Sequence, residues 1–250
     1  MSETRSPLPS ALNLHGRRAL VTGAASGIGR ATAMVLAELG AELLLTDRAP
    51  LAETRVEVER VGAACATQEG DLTSDSFIAE LFANGRVHAV AHCAAILEGR
   101  PWREDRNWHD RFHRVMDINV RVPLMLASAA IDHMAEDGSG AIVLVGSVAG
   151  RTGGTSVNTP PDYSASKGAV HALVKWLSRQ AIGRGVLVNG VAPGPVQTPM
   201  TTGFTLGNQL PLGRMGRPEE LAWPIAFLCT PAASYFSGAI LDVNGGAFVG

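Results

Sequence analysis

VTGAASGIGR (residues 21–30) joins an apolar run, RRALVTG (17–23), to a segment of helical pattern, GIGRATAMVLAELG (27–40). Gly23, Gly27 and Gly29 fall in a G-x-x-x-G-x-G spacing rather than the commoner G-x-G-x-x-G. Glycines at a strand-to-helix turn permit a tight bend and close backbone approach. The helix that follows turns free N–H groups and the positive end of its dipole toward any anion there. Such glycines can also serve strand–helix packing alone. Here they follow the first strand, and an acidic residue, Asp47, ends the second, AELLLTD (41–47). That combination favours a pyrophosphate cradle made by Gly23, Ser26, Gly27, Ile28 and Gly29, with the acidic residue on a ribose.

Outward from this turn, apolar runs alternate with helical patterns. Strands are expected near 63–70, 86–94, 140–147, 185–194 and 238–246, and helices near 50–61, 74–84, 107–136, 162–182 and 218–229. Alternation of this kind implies a parallel sheet with helices on both faces and right-handed crossovers. The expected fold is α/β, a single Rossmann-type doubly wound parallel sheet of about seven strands. Residues 1–15 read as an N-terminal extension and 16–250 as one catalytic domain, with a substrate loop near 199–212.

Composition narrows the class. A net charge of −2 gives no electrostatic reason to bind nucleic acid or an anionic membrane. No apolar run approaches the length that spans a bilayer, and the first residues lack the apolar stretch of a signal peptide. Cys65, Cys93 and Cys229 are odd in number and far apart, which suits reduced thiols and a cytoplasmic location. His109 and His113 stand at i,i+4 without an HExxH pattern. With Arg111 and Arg114 around them, they read as a solvated or subunit-contact helix face, and no metal site is expected.

Asp47 can accept hydrogen bonds from adenosine ribose hydroxyls and would repel a 2′-phosphate. Arg48, next to it, could receive that phosphate. The reading is NAD, with NADP the alternative.

With these residues in view, the chain resembles the short-chain dehydrogenase/reductase family from about residue 16 to 248. The motifs that carry the resemblance are TGAASGIG (22–29), GDLT (70–73), CAAI (93–96), DINV (117–120), VGSVAG (145–150), YSASK (163–167), VAPGPVQTPM (191–200) and LDVNGG (241–246). The resemblance implies four catalytic residues, Asn119, Ser147, Tyr163 and Lys167. Tyr163 would exchange a proton with the substrate oxygen and Ser147 would hydrogen-bond that oxygen. Lys167 would also hold the nicotinamide ribose, and Asn119 would help hold a water. Residues four apart share a helix face, so Lys167 is expected to bring the Tyr163 phenol down by two to three pKa units from about 10.

By the same resemblance, Asp71 and Leu72 would lie near the adenine, with Cys93, Ala94 and Ala95 beside the cofactor. Pro193 and Gly194 would shape the loop under the nicotinamide, and Val196 and Thr198 would reach its carboxamide. The implied activity is an NAD(H)-dependent exchange of hydride between a secondary alcohol or ketone and nicotinamide. The implied assembly is a homotetramer or homodimer. The alternatives are an NADPH-dependent 3-oxoacyl-type ketoreductase and a catalytically silent nucleotide sensor.

Three departures from the family pattern stand out. Cys93-Ala94-Ala95 replaces Asn-Ala-Gly, losing an amide that braces the strand and adding a methyl near the cofactor. The interval from Ser147 to Tyr163 is long, with Asp162 a candidate helix N-cap. The segment after Thr198 is short, which suggests an open pocket with a mobile cover.

Overall fold

The computed structural model of the chain describes residues 8–98, 105–134, 140–156, 159–204 and 210–250. Seven parallel strands form one sheet in the order β3-β2-β1-β4-β5-β6-β7. They are β1 (Arg18–Thr22), β2 (Glu42–Asp47), β3 (Cys65–Glu69), β4 (Ala89–His92), β5 (Gly140–Val145), β6 (Val186–Pro193) and β7 (Ile240–Val243). Side chains alternate across the pleat. In β5, Ala141, Val143 and Val145 enter one core, and Ile142 and Leu144 enter the other.

The helices divide accordingly. α1 (Gly27–Glu38) and α8 (Pro218–Leu228) cover the first face. α3 (Asp75–Ala83), α5 (Val122–His133) and α7 (Pro161–Ala181) cover the second. α2 (Ala52–Arg60) packs on α1, and the short α6 (Ala149–Thr152) follows β5. Because every strand is parallel, all their carboxyl ends meet at one edge. Strand order reverses direction between β1 and β4, the switch point where such sheets open a crevice.

The helix expected over 107–136 is not continuous. α4 (Trp108–Met116) runs into a π turn, Asp117–Arg121, before α5 begins. Pro123 has no N–H, so the bond an unbroken α-helix would send to the Asn119 carbonyl cannot form. The backbone widens instead, and the Val122 N–H reaches the Asp117 carbonyl. Asp162 is also not an N-cap. α7 starts at Pro161 after Pro160, which leaves Asp162 inside the first turn and buried. The apolar run 122–130 is mostly core: Val122, Leu126, Ala127 and Ala130 are buried, while Met125 is exposed. The proposed cover over 199–212 begins as a 3-10 turn, Pro199–Thr201, and residues 205–209 lie outside the described residues.

Candidate active site

The turn after β1 packs without room for side chains. A Cβ on Gly29 would lie 2.1 Å from the Gly23 carbonyl oxygen, and one on Gly23 would lie 2.8 Å from the Ala94 nitrogen. Gly23 and Gly27 both have positive φ. Ser26 occupies the N-cap of α1 but makes no side-chain cap bond, so its hydroxyl and the first-turn N–H groups face the cleft together. That donor set fits a pyrophosphate.

The cleft in front of the turn measures about 260 Å³. Gly23, Ser26, Gly27, Ile28 and Gly29 line its floor, and Asp47, Arg48, Asp71 and Leu72 line one end. Cys93, Ala94, Ala95 and Thr198 close the other side. Tyr163, Lys167, Pro193, Gly194 and Val196 fall outside this lining, and Val196 is buried beside a bridge to Gly216. Reasoning on the sequence missed Gly70, Thr73, Ile96, Ile118, Val122, Pro199 and Met200, which complete the wall. Most are apolar neighbours of the expected residues, and only the fold reveals which face they turn.

The Asp47 carboxylate is held at that end of the cleft by backbone N–H groups. Oδ2 accepts the Ala25 N–H and Oδ1 accepts the Ala49 N–H, each at 3.0 Å. Arg48 beside it is exposed. The Thr73 backbone N–H holds the Asp71 carboxyl below its ordinary range, with its side chain and Arg48 helping. Arg30, just past the glycines, is tied up by Glu57 and Glu53, which leaves Arg48 as the cation lining the cleft.

At the end of β4, the brace lost with the missing asparagine has a substitute that the sequence did not advertise. His92 is buried, and its Nδ1 lies 2.8 Å from the Thr22 hydroxyl, which also accepts the Ala94 N–H at 3.2 Å. The Thr22 hydroxyl thus links the imidazole to the backbone beyond β4. Burial lowers the His92 pKa to about 3. Cys93 is pushed up to about 12 by burial, so it is a thiol rather than a nucleophile.

The four expected catalytic residues converge at the carboxyl end of β5. The Asn119 amide, buried within the π turn, spans the gap to β4. Its Oδ1 accepts the Ile96 N–H and its Nδ2 donates to the Ile96 carbonyl, both at 2.9 Å. Nδ2 also meets Ser166 Oγ at 3.1 Å, and Ser166 Oγ donates to the Tyr163 carbonyl at 2.7 Å. Ser147 follows β5 and accepts the Ala149 N–H at 3.1 Å. Lys167 is buried, and its Nζ donates to the Val145 carbonyl at 2.9 Å while lying 5.7 Å from the Tyr163 ring centroid.

The electrostatics differ from the expectation that Lys167 draws the phenol down. Burial pushes the Tyr163 phenol above its ordinary value, and the hydrogen bond with Ser147 offsets part of that rise. Burial also lowers Lys167 to about 8. The ammonium is bonded to a strand carbonyl and sits over the ring, so desolvation outweighs its attraction for a phenolate.

The face of α4 is not simply solvated. Arg111 is buried and its Nε meets Asp162 Oδ2 at 3.0 Å, with Asp105 on the same guanidinium. His109 and His113 are exposed, their rings 4.4 Å apart edge-on.

A glycine turn that opens into a cleft at the carboxyl edge of a Rossmann-type sheet, with a Ser-Tyr-Lys cluster on the same edge, defines a nicotinamide-linked oxidoreductase. A family model described as enoyl-(acyl carrier protein) reductase matches residues 23–247. The chain belongs to the short-chain dehydrogenase/reductase family. It is 39% identical to a galactitol 2-dehydrogenase (L-tagatose-forming) of Cereibacter sphaeroides, over 93% of this chain and 95% of that protein. It is 36% identical to a cis-4-hydroxycyclohexanecarboxylate dehydrogenase of Sinomonas cyclohexanicum, over 92% and 96%. A solved structure from Beutenbergia cavernae, assigned as an NAD(P)-dependent gluconate 5-dehydrogenase with NADP at low occupancy, superposes with a TM-score of 0.87. That structure is 34% identical and covers 95% of this chain and 98% of its own.

Proposed function

We propose that the chain interconverts a polar secondary alcohol and its ketone with NAD as the redox partner, Tyr163 acting as general acid and base. The observation that carries this reading is the junction of Asn119, Ser147, Tyr163 and Lys167 beside the glycine-turn cleft. A nicotinamide dinucleotide supplies the hydride or accepts it. In carbonyl reduction, the protonated Tyr163 hydroxyl gives its proton to the oxygen that gains charge, while Ser147 Oγ donates a hydrogen bond to the same oxygen. In oxidation the phenol must first lose its proton. The Lys167 charge then stabilises the phenolate, and Asn119 holds the Ile96 backbone and α7 in register.

Pro193 and Gly194, at the end of β6, and Val196 and Thr198, beyond it, are proposed to face the nicotinamide. Asp47 takes the adenosine ribose hydroxyls, which disfavours a 2′-phosphate. Exposed Arg48 supports a second reading, preference for NADP. The relatives' names specify a polyol and a hydroxylated ring acid, each a secondary alcohol on a molecule that carries further polar groups, and this class is the proposed substrate. We place the protein in the cytoplasm as a homotetramer or homodimer, in line with exposed Met125 on α5 and Trp176 on α7.

The test is reduced-nicotinamide absorbance with galactitol and cis-4-hydroxycyclohexanecarboxylate, comparing NAD and NADP for wild type and Asp47→Ser. The expected result is NAD-linked turnover that shifts toward NADP by about tenfold or more in the variant, since a repelling charge is worth a kcal/mol or more. NADP preference in the wild type would replace the NAD reading with the Arg48 one.

A further inference from the structure

The residues around Ser147 include one imidazole that the tetrad does not use. At the end of β5, the Gly146 N–H goes to the Val191 carbonyl and the Val148 N–H to the Pro193 carbonyl, each at 2.8 Å, so both flanking peptides are tied to β6. The Ser147 N–H, between them, instead meets Nε2 of His171, at 3.4 Å. His171 lies one turn beyond Lys167 on α7 and is buried. The ring edge rests on the peptide that carries Ser147. A Cβ on Gly146 would fall 2.4 Å from His171 Nε2 and 2.6 Å from Cδ2. Gly146 does not have positive φ, so the backbone conformation does not require a glycine there. The room needed by the imidazole does.

We propose that His171 is a positioning residue for Ser147, accepting the serine N–H and thereby fixing its hydroxyl against Tyr163. The geometry demands a neutral ring with Nε2 unprotonated. Burial keeps the ring neutral, lowering the His171 pKa to about 4 with the Arg151 charge adding to it, and the contact with the serine N–H selects the tautomer that carries its proton on Nδ1. From the other side, Ser147 Oγ accepts the Ala149 N–H. Holding the serine backbone on one side and its hydroxyl on the other sets the direction in which the remaining hydroxyl capacity points, toward Tyr163. Sub-ångström misplacement of such a donor has large rate effects.

This inference rests on the oxidoreductase reading for its kinetic arm, but its spectroscopic arm does not. The chain contains two tyrosines, Tyr163 and the fully exposed Tyr235. Labelling tyrosine with ¹³C at Cζ therefore gives one resonance for the site and one internal reference. The variants are His171→Leu, which fills the volume without an acceptor, and His171→Gln, which retains one. His171→Ala, which only removes atoms, keeps the test open should the leucine variant fail to fold.

The expected result in His171→Leu or His171→Ala is a rise of roughly half to one unit in the pH at which one tenth of Tyr163 is ionised, with Tyr235 unmoved, because the Ser147 bond that favours ionisation weakens. kcat with galactitol or cis-4-hydroxycyclohexanecarboxylate falls about tenfold while the NADH dissociation constant stays within about twofold. His171→Gln retains most of both. In a Ser147→Ala background the effect of His171→Leu on Tyr163 disappears, because the two residues act in series.

An unmoved Tyr163 titration in folded His171→Leu and His171→Ala would overturn the proposal. So would an equal shift that persists in the Ser147→Ala background. If wild type fails to turn over either alcohol, the titration still decides the role of His171, and only the functional reading is in question.

Discussion

Tyr163 sits where two effects oppose each other. Half-buried beside β5, the phenol would form a poorly hydrated phenolate, and this pushes its pKa up, while the Ser147 hydrogen bond pulls it back. The Lys167 ammonium is bonded to the Val145 carbonyl and is itself lowered to about 8 by burial. The i,i+4 spacing made the pairing of Tyr163 and Lys167 readable from sequence, because helix periodicity alone puts both on one face. The sign of the phenol's shift was not readable, because it depends on how much water each group loses. His92 and His171 went unread for a related reason. Each works through a contact with a residue 70 or 24 positions away, and no local spacing announces such a contact.

Among the elements, α7 is held at both ends of its functional stretch. Gly150 lets α6 lie directly on it, since a Cβ there would come within 2.7 Å of the Lys167 carbonyl group. One turn earlier, the buried Arg111–Asp162 pair ties α4 to the residue preceding Tyr163. Removing one member of a buried pair leaves the other charged and desolvated, a cost of about 3–5 kcal/mol. Arg111→Met is expected to lower Tm by roughly 10 °C. The double variant Arg111→Met/Asp162→Ala should recover part of that loss in a thermal melt. A double variant as unstable as the sum of the single ones would show that the two residues contribute independently. The pair was hidden in the sequence because Arg111 stands among exposed His109, Asp110, His113 and Arg114, and charge runs on a helix usually face water. The π turn could be anticipated only in part: Pro123 is visible as a helix disturbance, but not the direction in which the backbone relaxes.

At the scale of the whole molecule, the parallel sheet and its approximate strand number were legible because short apolar runs alternate with longer helical patterns all along the chain, while the strand order came only from the fold. The parallel sheet then carries every site motif to one edge. Among the described residues, no helix is long and apolar enough to cross a membrane. The cost of building the site inside the fold shows in the histidines. His92 and His171 are buried with folded pKa values of about 3 and 4, below the ordinary value of about 6.5. Below pH 6.5 the unfolded chain therefore binds more protons than the native one, and stability falls as pH drops from there toward 4. The loss reaches about 2–3 kcal/mol per imidazole by pH 4.5. Urea unfolding midpoints measured from pH 7.5 down to 4.5 should drop steeply in the wild type and less steeply in His171→Gln. A flat profile would mean that both rings are accessible in the native state.

The proposed role of the Tyr163 hydroxyl is to move the proton that accompanies hydride transfer. Its most direct test is the steady-state rate of Tyr163→Phe, followed by reduced-nicotinamide absorbance on an alcohol that the wild type oxidises, alongside NADH affinity by fluorescence. The expected result is a fall in kcat of about 10²–10⁴-fold with NADH binding within about twofold of wild type. A variant that binds NADH normally and retains most of its kcat would contradict it.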